Sequence, residues 1–128
     1  MVRRILIIED EIPIKELYER VFAKRGWKVV GVVTGAQAFE KAGGQKFEMI
    51  LLDIMLPEKN GVDVLRDIKA PNSSWRQTPV FMLTNLGQES VIREAFKLGA
   101  EGYLLKAQLL PDQIVTEVET FLAKNKSP

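Results

Sequence analysis

Short apolar runs recur along the chain, and each is separated from the next by a longer stretch with helical periodicity. Strands are predicted near Arg4–Glu9, Lys28–Val33, Met49–Asp53, Val80–Thr84 and Gly102–Leu105. Runs of this length without polar alternation suit strands that are buried on both faces of a sheet. Strands that alternate with helices form βα units around a parallel sheet. The sequence therefore predicts an α/β fold, with a five-stranded parallel sheet and flanking helices in a single domain over residues 1–128.

The helices are predicted from apolar residues that repeat at the spacing of one helix face. The three longest faces are formed by Ile14, Leu17, Tyr18, Val21 and Phe22, by Val91, Ile92, Ala95 and Phe96, and by Ile114, Val115, Val118, Phe121 and Leu122. Shorter helices are predicted over Ala36–Ala42 and Val62–Lys69. Helix starts are marked by Pro13 and Pro111, and helix ends by Gly26, Gly43–Gly44 and Gly99. The Pro, Asn and Ser residues of Ala70–Pro79 predict a loop.

Composition excludes several classes of function. The 128 residues include no cysteine and no histidine, which removes thiolate chemistry, Ser-His-Asp triads and histidine metal sites. A formal net charge of +1 gives no electrostatic reason to expect direct nucleic-acid binding or attraction to an anionic membrane. The apolar runs are too short to span a bilayer or to form the core of a signal peptide, so we expect no membrane insertion and a cytoplasmic location.

Polar residues follow four of the five predicted strands. Glu9 and Asp10 end the first strand, Asp53 the third and Thr84 the fourth, and Lys106 follows the fifth. Any one of them is compatible with an ordinary solvated strand end. Ligands of open α/β sheets nevertheless bind outside the carboxyl ends of the strands, at the point where the strand order reverses. Four strands that deliver polar groups to one edge therefore predict a site there.

The residues at this edge favour a metal ion and a phosphoryl group. The acidic stretch Glu9–Glu11 stands where a phosphate-binding loop would need glycines, and it would repel a bound phosphate. Converging carboxylates instead favour a bound cation, and an oxygen-only ligand set indicates a hard ion such as Mg²⁺. Asp53 is then the best candidate for a nucleophile that holds an aspartyl phosphate. Lys106 would neutralise phosphoryl charge, and the Thr84 hydroxyl would donate to a phosphoryl oxygen.

These residues resemble the receiver domain of bacterial two-component response regulators, of the chemotaxis-regulator type. Glu9-Asp10 resembles the family's acidic pair, and "LLDIMLPEKNG" (Leu51–Gly61) resembles the phosphoacceptor strand and its loop. Thr84 matches the switch hydroxyl, and "LGAEGYLLK" (Leu98–Lys106) matches the segment that carries the switch aromatic, Tyr103, and the family's lysine. The resemblance extends over essentially the whole chain.

The resemblance implies a flavodoxin-like (βα)5 fold with strand order 2-1-3-4-5 and a switch function rather than turnover. Mg²⁺ would be held by the side chains of Glu9, Asp10 and Asp53 and by the backbone carbonyl of Met55. Asp53 would accept a phosphoryl group from a sensor histidine kinase or a phosphotransfer protein. Thr84 and Tyr103 would then move, and a downstream protein partner would bind the face formed by the fourth helix, fifth strand and fifth helix.

Some positions depart from the family pattern. Ala107 replaces the proline that commonly follows the lysine, so a cis peptide bond is not expected there. Asn85 is larger than the usual residue after the switch hydroxyl. In the family, the positions of Met55 and Leu86 flank the path of the hydrolytic water. Because both are apolar here, we expect a phosphorylated state that decays slowly.

Three alternatives accompany this interpretation. A stand-alone switch is the favoured interpretation, and the N-terminal receiver of a longer regulator without its output domain is the nearest alternative; the polar stretch "KNKSP" does not distinguish the two. A small Mg²⁺-dependent phosphohydrolase of the haloacid dehalogenase type is disfavoured, because Met55 stands where that class needs a second aspartate. A flavodoxin-like cofactor binder is disfavoured by the acidic first loop.

Overall fold

The computed structural model describes residues 2–85 and 89–125. Five strands and five helices alternate along the chain. In order they are β1 (Arg4–Ile8), α1 (Ile12–Lys24), β2 (Lys28–Val32), α2 (Gly35–Ala42), β3 (Met49–Asp53), α3 (Gly61–Ile68), β4 (Val80–Thr84), α4 (Glu89–Lys97), β5 (Gly102–Leu105) and α5 (Pro111–Lys124). Within the described residues, none of the helices has the length and apolarity needed to cross a membrane.

All strand pairs are parallel, and the strand order is β2-β1-β3-β4-β5. This confirms the predicted fold class and strand order. The order reverses between β1 and β3, which are paired with Ile8 opposite Leu52. Because the strands are parallel and in this register, Glu9 and Asp53 leave adjacent strands at the same edge of the sheet. The topology thereby creates the crevice where α/β sheets bind ligands.

Side-chain caps explain why α2 and α3 begin one residue earlier than their apolar periodicity predicts. The Thr34 hydroxyl accepts a hydrogen bond from the Gln37 N–H at 3.0 Å, and the Asn60 side chain accepts one from the Asp63 N–H at 3.0 Å. Each cap satisfies an amide that the first helical turn leaves unpaired. β1 and β2 end one residue earlier than predicted, whereas the bounds of β3, β4 and β5 agree with the prediction.

The core consists of two layers, one on each face of the sheet. Leu6, Ile8, Ile50 and Leu52 pack with α2, α3 and α4, and the intervening residues of β1 and β3 pack with α1 and α5. Every residue of β3 and β4 is buried, as the continuous apolar runs predict. Two residues of the predicted apolar helix faces are more exposed than expected: Leu17 is 38% exposed and Phe96 is 45% exposed. Both lie at the margin of their helix face, next to buried Tyr18 and Ala95.

The predicted loop Ala70–Pro79 contains turns and no helix or strand, but it contributes a core residue. Trp75 is 1% exposed and stacks on Phe39, with 5.1 Å between ring centroids. Its indole N–H donates to the Gln45 carbonyl at 2.8 Å. Lys69 Nζ donates to the Thr78 carbonyl at 2.7 Å and so holds the end of the loop. The loop is therefore an anchored part of the layer that contains α2 and α3.

We expect Trp75→Ala to lower the free energy of unfolding by about 3–5 kcal/mol, because it leaves a cavity beneath α2 and α3. Trp75→Phe should cost less, since it keeps an aromatic ring and loses the indole hydrogen bond to Gln45. Urea unfolding followed by circular dichroism measures both. Exposed Arg76 is the matched control, and Arg76→Ala should change stability by no more than about 0.5 kcal/mol. Equal losses at positions 75 and 76 would contradict this account of the loop.

Candidate functional site

Three carboxylates meet at the carboxyl edge of β1 and β3. One oxygen from each of Glu9, Asp10 and Asp53 lies within 4.8 Å of the other two. Glu9 and Asp53 are buried, and Asp10 is half-buried. The sequence-predicted acids are thus brought together by the adjacent pairing of β1 and β3. The arrangement concentrates negative charge at the point where the strand order of the sheet reverses.

Lys106 supplies the opposite charge. Its Nζ lies 2.7 Å from Glu9 Oε1, 3.0 Å from Asp53 Oδ2 and 3.6 Å from Glu11 Oε1. The backbone N–H of Lys106 donates to the Thr84 carbonyl at 2.9 Å, which continues the β4–β5 pairing to the site. Burial by itself would lower the pKa of Lys106, but the hydrogen bonds and charges of Glu9 and Asp53 outweigh it and raise the pKa above its usual range. The ammonium is therefore charged throughout the physiological pH range.

Burial disfavours the ionised form of the Glu9 carboxylate. Burial, followed by the neighbouring Asp53 carboxylate, raises its pKa from 4.5 to about 7, although Lys106 and the Glu11 N–H act in the opposite direction. Glu9 Oε2 accepts the Glu11 N–H at 3.1 Å. Oε1 lies 2.7 Å from the Lys106 ammonium. Both oxygens of this buried carboxylate are therefore held in place within the cluster.

Asp53 is held by contacts on both carboxylate oxygens. Oδ1 accepts the Met55 N–H at 3.0 Å, and Oδ2 accepts from Lys106 at 3.0 Å. The loop after β3 returns close to this residue, because the Gly61 N–H donates to the Ile54 carbonyl at 2.8 Å. A Cβ at position 61 would lie 2.2 Å from the Asp53 carbonyl oxygen. Glycine is therefore required at position 61 to keep the loop against the end of β3.

The remaining predicted residues differ in how exposed they are. Thr84, at the end of β4, is 1% exposed, and its hydroxyl donates to the Asn85 carbonyl at 3.1 Å. Tyr103 lies on β5 outside the carboxylate cluster and is 44% exposed. Its ring packs edge-to-face with that of Phe96, with 6.2 Å between the ring centroids. Met55 follows Asp53 closely, and it is 58% exposed. Leu86, predicted to flank the path of the hydrolytic water, lies outside the described residues.

The structure adds two residues to the predicted site. Glu11 is near enough to Lys106 to share its charge, and Tyr18 lies close enough to the site to be influenced by its charges. Burial raises the pKa of Tyr18, with Lys106 opposing this shift. The apolar helix face identified Tyr18 only as a core residue. No cis peptide bond occurs within residues 2–85 and 89–125, in agreement with the expectation at Ala107.

The donor set fits a hard divalent cation. All three side chains offer carboxylate oxygens, and such ligands suit small oxygen-binding ions. A cation here would also offset the charge that one lysine balances only in part. The half-buried Asp10 leaves the cluster open to solvent on one side. The site can accordingly accept both an ion and an anionic group that brings further oxygen ligands.

Comparison with known proteins shows the same family over nearly the whole chain. A sequence model described as the response regulator receiver domain matches residues 5–119. The transcriptional regulatory protein SrrA of Staphylococcus aureus is 32% identical over 127 residues, which are 99% of this chain and 51% of SrrA. The chain thus spans about half the length of the curated relatives it matches.

Solved structures share the fold. The response regulator DrrB, described as a Thermotoga maritima OmpR/PhoB homologue, is 25% identical with a TM-score of 0.82, covering 99% of this chain and 55% of DrrB. A CheY-like receiver domain protein of Methanospirillum hungatei is 21% identical with a TM-score of 0.86, covering 97% of this chain and 96% of that one. With the family match along its sequence, this chain belongs to the response regulator receiver domain family.

Proposed function

We propose that this receiver domain is a phosphoacceptor switch of a two-component phosphorelay, in which Asp53 receives the phosphoryl group. The observation that carries the proposal is the setting of Asp53. Its carboxylate is 2% exposed, contacts the Lys106 ammonium, and faces the carboxylates of Glu9 and Asp10. Receiver domains of response regulators interact with histidine kinases or phosphotransfer proteins, and we propose one of these as the donor to Asp53.

Mg²⁺ is the cofactor that we propose for the acidic cluster. The side chains of Glu9, Asp10 and Asp53 and the backbone carbonyl of Met55 would hold it. Two observations support the fit: the carboxylate oxygens converge, and the buried Glu9 and Asp53 share, among the described residues, a single lysine as their cationic partner. When bound, Mg²⁺ supplies positive charge that stabilises a transferring phosphoryl group.

The protein's own residues have separate roles in the transfer. A carboxylate oxygen of Asp53 attacks the phosphorus atom, and the bond between phosphorus and the donor nitrogen breaks. The Met55 N–H and the Lys106 ammonium orient the Asp53 carboxylate before attack. Lys106 then neutralises part of the phosphoryl charge, and the Thr84 hydroxyl donates a hydrogen bond to a phosphoryl oxygen. Together with Asp53, these are the residues that we propose to carry the chemistry.

The downstream partner is proposed to bind the face formed by α4, β5 and α5. Tyr103 is 44% exposed, and its ring meets that of Phe96 on α4 edge-to-face. A movement of Thr84 toward a phosphoryl group and of Tyr103 toward the interior would repack this face. The net charge of +1 favours a protein partner over nucleic acid, and we propose no membrane insertion.

Receiver domains are signalling switches, and we propose no turnover here beyond self-phosphorylation and slow loss of the phosphoryl group. The phosphohydrolase alternative lacks support, because the exposed Met55 cannot act as an acid or a base. A single domain over residues 1–128 and a cytoplasmic location stay predictions. A stand-alone switch and the N-terminal receiver of a longer regulator both stay open, and the full-length open reading frame distinguishes them.

The first prediction concerns the phosphoacceptor. Acetyl phosphate with Mg²⁺ should add one phosphoryl group, seen by intact-mass measurement and removed by hydroxylamine, and Asp53→Asn should abolish the addition. Asp112→Asn is the matched control, since Asp112 is an exposed aspartate at the start of α5 and should leave the addition unchanged. Undiminished modification of Asp53→Asn would mean that another residue is the acceptor.

The second prediction concerns the pH dependence of the metal-free protein. In the folded state Glu9 keeps its proton up to about pH 7, whereas the unfolded chain loses it near 4.5. Because the folded state binds the additional proton, the stability contributed by Glu9 falls as pH rises through this window. Relative to Glu9→Gln, the wild type should therefore lose on the order of 1–3 kcal/mol of unfolding free energy between about pH 5 and pH 8.

Urea unfolding in the presence of a chelator measures this difference. Glu40→Gln is the control, because Glu40 is exposed and distant in sequence from the cluster, and it should keep the pH dependence of the wild type. The same pH dependence in the wild type and Glu9→Gln would contradict a raised pKa of Glu9 in the folded state.

The third prediction links metal binding to stability. Mg²⁺ that binds the folded state should raise the melting temperature with concentration. Asp10→Asn relieves repulsion, so it should be more stable than the wild type without metal while losing the response to Mg²⁺. Asp112 is exposed at the start of α5 and lies outside the three-carboxylate cluster, so Asp112→Asn should keep the response. A metal-free Asp10→Asn protein no more stable than the wild type would show that the carboxylates are well screened.

A further inference from the structure

Met55 carries the exposed sulfur among the residues that the structure describes. The chain has four methionines and no cysteine. Met49 and Met82 lie inside β3 and β4 and are 0% and 1% exposed, whereas Met55 is 58% exposed. Met1 lies outside the described residues. Oxidation of sulfur follows its exposure to the oxidant, and no thiolate competes here. Within the described residues, an oxidant therefore reaches Met55 in preference to the other two methionines.

Met55 also lies directly beside the proposed phosphoacceptor. Its N–H donates to Asp53 Oδ1 at 3.0 Å, so its backbone is part of the site. Its side chain lines a concavity of about 220 Å³ together with Ile54, Val62 and Val91. A chemical change of this side chain therefore falls two residues from Asp53, on a residue whose backbone contacts the Asp53 carboxylate, and it removes no charged group of the site.

We propose that Met55 is a peroxide-sensitive modification site, and that its oxidation shortens the lifetime of a phosphoryl group on Asp53. The second part rests on the function proposed above. In the modification, a lone pair of the thioether sulfur attacks one peroxide oxygen, a sulfur–oxygen bond forms, and the oxygen–oxygen bond breaks. The sulfur is oxidised by two electrons and the peroxide is reduced by two. The oxygen now bound to sulfur gives up its proton, and the other oxygen takes up a proton and leaves as water. Hydrogen peroxide is thus the only co-reactant.

The expected effect follows from the change in polarity. A thioether is a weak hydrogen-bond acceptor, whereas a sulfoxide is polar and accepts strongly. Residue 55 is exposed and its N–H contacts Asp53, so a sulfoxide there would offer water a strong hydrogen-bond acceptor two residues from the phosphoacceptor. A water that attacks phosphorus gains rate from being positioned. Oxidation should therefore accelerate hydrolysis, and reduction of the sulfoxide should restore the slow rate.

The first experiment maps the oxidation. The folded protein is treated with limiting hydrogen peroxide, and proteolytic peptides are analysed by mass spectrometry. Met55 should gain an oxygen at least tenfold faster than Met49 and Met82, in keeping with the greater exposure of its sulfur. In urea the three should react at similar rates, because burial no longer protects two of them. Equal rates in the folded protein would overturn the assignment of the site.

The second experiment measures the lifetime of the phosphoryl group by intact mass after the donor is removed. The wild type and Met55→Leu are each compared with and without peroxide, so every protein is its own reference. Peroxide should shorten the lifetime of the wild type several-fold, leave that of Met55→Leu unchanged, and lose its effect after treatment with methionine sulfoxide reductase. An unchanged lifetime in fully oxidised wild type would overturn the proposed effect. A protein that takes up no phosphoryl group before oxidation would instead contradict the proposed function, while the oxidation map decides separately on Met55.

Discussion

The contact of the Lys106 ammonium with Glu9 and Asp53 is the interaction on which the site depends. Both carboxylates are almost fully buried, at 0% and 2% exposure. An uncompensated buried charge costs several kcal/mol, and two adjacent carboxylates add repulsion to that cost. Lys106 approaches one oxygen of each, at 2.7 and 3.0 Å. Burial, and then the Asp53 carboxylate, raise the pKa of Glu9 although Lys106 opposes the shift, so a further cation would favour the ionised form of Glu9.

The sheet topology explains how these buried charged side chains come to lie next to one another. β1 and β3 pair in parallel, so their carboxyl ends are neighbours and Glu9 faces Asp53. β4 and β5 extend the same edge, which places Thr84 and then Lys106 next in line. The apolar faces of the strands hold this edge rigidly through the two core layers. The apolar residues in the middle of the strands therefore stabilise the fold, and the polar residues at or just after the strand ends form the site.

The sequence predicted the parts of the molecule that depend on local pattern. The bounds of β3 to β5 and the convergence of Glu9, Asp10 and Asp53 followed from apolar runs and the rule for ligand sites in α/β sheets. Contacts between distant segments were not predictable in this way. Trp75 belongs to a loop by composition, yet it fills a space between elements that only the folded chain creates. The 45% exposure of Phe96 likewise follows from tertiary packing and not from the periodicity of its helix.

The two sides of the site differ in how firmly the fold holds them. Asp53 ends β3, the middle strand, which is paired on both sides and wholly buried. Lys106 follows β5, a four-residue edge strand that pairs only with β4 and has one fully buried residue. Segments with fewer buried contacts open and shift at lower free energy. Asp53 is therefore held more firmly than Lys106. Since Tyr103 lies within β5 and Lys106 follows it directly, a shift of β5 would move Lys106 together with the surface that Tyr103 and Phe96 form.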